Sequence, residues 1–104
     1  MKTYHGTNEG VGGQSITVTD GDKTYPLPHI LRHSPDGFQW GYGGSGPADT
    51  ALSILTDCIG EEEANKFHQG FKFDFIAPAE KELKIKEEDI RAWLKEAKER
   101  MDIA

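Results

Sequence analysis

The segment Ser15–Pro26 does most to limit what this chain can fold into. In Ser15-Ile16-Thr17-Val18-Thr19-Asp20, apolar and polar residues alternate and β-branched types dominate, the pattern of a half-buried strand. Gly21-Asp22 supplies a turn, and Lys23–Pro26 returns as the partner strand of a β-hairpin. Pro26 and Pro28 end the ladder, because neither has an N–H to donate. Lys2–His5 reads as a short opening strand, and the four glycines of Gly6–Gln14 read as a loop.

Beyond the hairpin, Ile30–Gly37 is expected to be irregular, with a turn at Ser34-Pro35-Asp36-Gly37. Phe38, Trp40 and Tyr42 follow at period two and would line one face of a strand. The period then changes. Pro47 suits a first helical position, and Ala48, Ala51, Leu52, Leu55, Cys58 and Ile59 form an apolar stripe that stops at Gly60. Glu61-Glu62-Glu63 opens a second short helix with Ala64 and Phe67 facing inward. After Gly70, Phe71, Phe73 and Phe75 alternate with Lys72 and Asp74, which predicts a strand to about Ala77 and then a loop to Glu82. A last helix runs from about Glu87 to Met101, with Ile90, Trp93, Leu94, Ala97 and Met101 as its apolar stripe. Lys86 occupies the position where a capping hydroxyl would be expected. The fold class is therefore α+β, a small antiparallel sheet packed against two or three helices.

A chain of 104 residues has room for one core, so residues 1–104 are expected to form a single domain. The net charge of −6 argues against general nucleic-acid binding and against an anionic membrane surface. Residues 1–60 carry six acids against three bases and residues 61–104 carry twelve against nine, so the acidity is spread rather than concentrated. Cys58 is the single cysteine, which excludes an internal disulfide and fits a reducing compartment. The start Met1-Lys2-Thr3-Tyr4-His5-Gly6 lacks the apolar run of a secretory signal, and a cytoplasmic location is the expectation.

Function is sought at Gly41-Tyr42-Gly43-Gly44-Ser45-Gly46, which satisfies the Gly-x-Gly-x-x-Gly spacing of dinucleotide sites. Too few strand–helix–strand units are present for the parallel sheet such a site needs. Gly41 and Gly46 also match the outer glycines of a Walker A loop, but Pro47 and Ala48 stand where Lys and Ser/Thr would hold phosphate and magnesium. Two readings remain. The glycines make a tight turn that lets strand and helix pack closely, or they offer bare backbone donors at a helix start to an anion, with Trp40 or Tyr42 stacking on a ring. With Gly46 as N-cap, Asp49 would fall at the third helical position, where its carboxylate satisfies those same donors and repels phosphate.

Ser34-Pro35-Asp36-Gly37-Phe38-Gln39-Trp40-Gly41-Tyr42-Gly43-Gly44-Ser45-Gly46-Pro47-Ala48 resembles a family of small prokaryotic and phage proteins, domain of unknown function 6166. The Lys2-Thr3-Tyr4 start, the Phe71–Phe75 stretch and Trp93-Leu94 share the resemblance, and Lys86 departs from it where a Ser or Thr is usual. The resemblance implies a phage or mobile-element setting. By association with that setting, where small proteins often inhibit host defence, the expected roles are blocking a host defence protein assembly or sequestering a signalling nucleotide.

His29 and His33 have the spacing of a helical metal pair, but Pro28 and Pro35 bracket them. Cys58 sits on an apolar stripe and reads as a buried thiol, and Ser45 lacks a nucleophile-elbow context. No catalytic residue, metal ligand or cofactor is expected. The reading is a binding protein with a protein partner, or alternatively a nucleotide ligand, with Phe38, Trp40, Tyr42, Gly43, Gly44, Ser45, Gly46 and Asp49 as candidate site residues. A hydrolase or transferase with an unrecognised site is the third possibility.

Overall fold

A computed structural model describes residues 1–7, 15–32 and 37–103, with the side chains of 102 and 103 excepted. The elements are strands β1 (Lys2–Thr7), β2 (Ile16–Asp20) and β3 (Lys23–Pro26), helices α1 (Ser45–Ile59) and α2 (Glu61–Phe71), a π-helical turn Lys72–Ile76, strand β4 (Glu82–Lys86) and helix α3 (Glu87–Ile103). The four strands form one antiparallel sheet in the order β3-β2-β1-β4. This is the α+β class, with the hairpin in the expected register: Asp20 pairs with Lys23 and Thr17 with Pro26.

Alternation sorts the faces. Tyr4, Ile16, Val18, Leu83 and Ile85 are buried against the helical layer, while His5, Thr17, Thr19 and Lys84 stay exposed on the other face. From the helices, Ala51, Leu52, Ile54, Leu55, Phe71, Ile76, Ile90 and Leu94 complete one core. Gly60 serves both as the last cap of α1 and as the first cap of α2, with a φ of 96°. A side chain there would be strained, so a single glycine turns the corner between the two helices.

Several expectations need correction. Gly6 and Thr7 belong to β1, not to a loop. A side chain at Gly6 would meet the Trp40 ring at 2.9 Å and Ile16 at 3.1 Å, so the glycine is there to let the indole lie against the strand. The rest of the expected loop, residues 8–14, lies outside the described residues, as do Ser34, Pro35 and Asp36 of the expected turn. Phe38 makes only an isolated bridge, and Phe38, Trp40 and Tyr42 do not share a strand face: the first two are buried and Tyr42 is 50% exposed.

Phe71–Phe75 is helical, not a strand. The N–H of Ala77 donates to the Lys72 carbonyl at 2.8 Å, five residues back, so the helix widens here instead of ending. That widening points Phe71, Lys72, Phe75 and Ile76 inward and leaves Phe73 and Asp74 outside. Phe71 and Phe75 stack with centroids 4.7 Å apart, and both rings meet Trp93 of α3 edge-on. Glu82-Leu83-Lys84-Ile85-Lys86 is a strand that the loop reading stopped short of, although it alternates cleanly. Because β4 runs straight into α3, Lys86 is a strand residue. The Glu87 carboxylate receives the Lys2 backbone N–H at 2.9 Å and the Arg91 side chain at 2.7 Å. Met101, read as part of the inward stripe of α3, is 58% exposed.

Candidate functional site

The glycine-rich segment is built differently from expectation. Gly44, not Gly46, precedes the first residue of α1, and no side chain caps the helix. Asp49 therefore lies in the second turn, where it cannot bond the helix's first donors. It is fully buried and accepts the Arg32 backbone N–H at 3.2 Å, fixing the incoming chain. A second brace joins the same two segments: the Gln39 N–H donates to Thr50 Oγ1 at 2.9 Å, and that hydroxyl donates to the Gly46 carbonyl at 3.1 Å. A side chain at Gly46 would overlap Gln39, so close approach explains this glycine.

The eight candidate residues fall into two groups. Phe38, Trp40, Gly46 and Asp49 are interior, and Trp40 donates its indole N–H to the Glu80 carbonyl at 2.9 Å. Tyr42, Gly43 and Ser45 are exposed, with Gly44 between the two groups. The Tyr42 hydroxyl donates to the Gln39 side-chain oxygen. A ring could stack on Tyr42, but the Trp40 indole is covered.

Sequence reading missed the neighbour that matters most here. Lys72 is only 6% exposed, donates to the Gly43 carbonyl at 3.1 Å, and holds its ammonium 4.2 Å from the centre of the Phe73 ring. Among the described residues it forms no ion pair. The helical setting of Lys72 was the signal, and the strand reading concealed it by placing Lys72 on an outer face.

A second polar constellation joins the sheet to the end of α1. Asp57 accepts the Tyr4 hydroxyl at 2.7 Å and the Tyr25 hydroxyl at 2.9 Å, and it faces the Lys2 ammonium at 3.2 Å. Burial, reinforced by the bond to Asp57, pushes the Tyr4 phenol far above its ordinary value. Burial also raises the Cys58 thiol, which fits an unreactive cysteine at neutral pH. Every polar group here has a partner, so the cluster reads as a tie between layers. Among the described residues no group of three or more His, Cys, Asp or Glu gathers to hold a metal ion, and His33 lies outside them.

An apolar opening lies elsewhere, between α2 and α3. A groove of about 390 Å³ is lined by Phe67, Gly70, Phe73, Trp93, Ala97 and Met101, with Lys66, Asp74 and Arg100 at its edges. It continues into a second hollow of about 400 Å³ bounded by Glu62, Glu63, Lys66, Phe67, Lys98 and Met101. Trp93 forms the floor and is fixed by its indole N–H, which donates to Asp74 at 2.7 Å. Phe73, 60% exposed, and Met101, 58% exposed, both line it. Across the far end, Lys98 faces Glu63 at 2.6 Å. Sequence alone could not find this groove, because its two walls come from helices whose relative placement no local pattern encodes.

No helix among the described residues is long and apolar enough to cross a membrane. No curated protein and no solved structure matches the chain. One family model does, over residues 4–96, which takes in most of the sheet, the glycine-rich segment, α1, α2 and α3 as far as Glu96. The chain belongs to that family, a family of unknown function (DUF6166).

Proposed function

We propose that this domain is a non-enzymatic protein-binding module that engages its partner through the aromatic groove between α2 and α3. The observation that carries the reading is the pair of large apolar side chains, Phe73 and Met101, held open to solvent above the half-buried Trp93. Aromatic and methionine side chains around a fixed indole are the composition of interface centres. Blocking a host defence assembly from a phage or mobile element, the setting implied by the sequence resemblance, would use such a surface.

The test is capture of partners by the immobilised wild type and by Phe73→Asp, quantified by mass spectrometry and then with the purified partner. Phe73 is 60% exposed, with one side of its ring against the Lys72 ammonium, and an unchanged circular dichroism spectrum and urea midpoint would show that the variant keeps the fold. Loss of a central contact typically costs about 2 kcal/mol or more, which weakens binding about thirtyfold. A partner held equally well by both proteins would remove the groove from the interface.

A second reading has its own observation, the Lys72 ammonium beside the uncapped start of α1. Here a phosphate-bearing nucleotide would sit at Gly43, Gly44 and Ser45, with Tyr42 against its base. Thermal shift against cyclic and ADP-ribose-type nucleotides tests this reading. A ligand at about a hundred times its dissociation constant adds about 2.7 kcal/mol, and the gain should vanish in Lys72→Met. An unmoved midpoint across the panel counts against the sponge.

A further inference from the structure

We draw no further inference here: the strongest candidate, the apolar groove between α2 and α3, is edged by acids and bases in equal number, so its charge selects no partner, and nothing in the structure shows what covers it.

Discussion

Phe71→Ala is expected to cost about 3–5 kcal/mol of stability, the usual loss for a fully buried aromatic ring. Phe71 is 0% exposed, stacks on Phe75 and meets the Trp93 ring edge-on at 5.4 Å, so its removal leaves a cavity where α2, the π-helical turn and α3 come together. Domains of this size have about 5–15 kcal/mol in all, and the urea midpoint should fall accordingly. The informative comparison is Phe73→Ala. Were the segment a strand, both rings would share one face and both losses would be large. In the helical arrangement Phe73 points to solvent, and its removal should cost less than about 1 kcal/mol. Equal losses in the two variants would reject the π-helical turn.

The second large effect is alkaline. In the folded chain burial and Asp57 hold the Tyr4 phenol protonated far above its ordinary value of 10.0. In the unfolded chain Tyr4 ionises near that ordinary value. A raised folded pKa contributes stability that is fully present below the unfolded pKa and is lost as pH rises beyond it. The unfolded state thus binds fewer protons above about pH 10, and stability falls by about 1.4 kcal/mol per pH unit from this residue. By pH 11.5 the loss is about 2 kcal/mol. Tyr4→Phe gives up a hydrogen bond at neutral pH, worth about 1 kcal/mol, but its urea midpoint should decline less steeply above pH 10. Parallel declines in the two proteins would show that Tyr4 is not the group responsible.

Local patterns made much of the fold legible. Ile16 and Val18 alternate with threonines, and the sheet requires that alternation because one face is buried. Ala51, Leu52 and Leu55 recur at helical spacing, and α1 buries them all. Where the reading failed, a non-local contact had decided the outcome. Phe71, Lys72, Phe73, Asp74 and Phe75 satisfy a strand's period, yet the helix leading into them continues and Trp93 supplies a partner for the inward rings. Gly6 looked like loop material because nothing nearby in sequence announces an indole lying over it. At the glycine-rich segment, chemistry was readable but exposure was not. Trp40 and Tyr42 are two residues apart, and only the second reaches solvent. The groove was invisible for the same reason, since Phe73 and Met101 come together only after α3 has folded back beside α2.

The contrasting placement of Trp40 and Trp93 gives the molecule two optical probes of different character. Trp40 is sealed in the interior with its N–H committed to a carbonyl, so its emission follows global unfolding. Trp93 lies half-buried at the base of the groove, where an arriving side chain would displace water from the ring and shift its emission to shorter wavelength. Occupancy of the groove and integrity of the core can therefore be followed in one unlabelled sample.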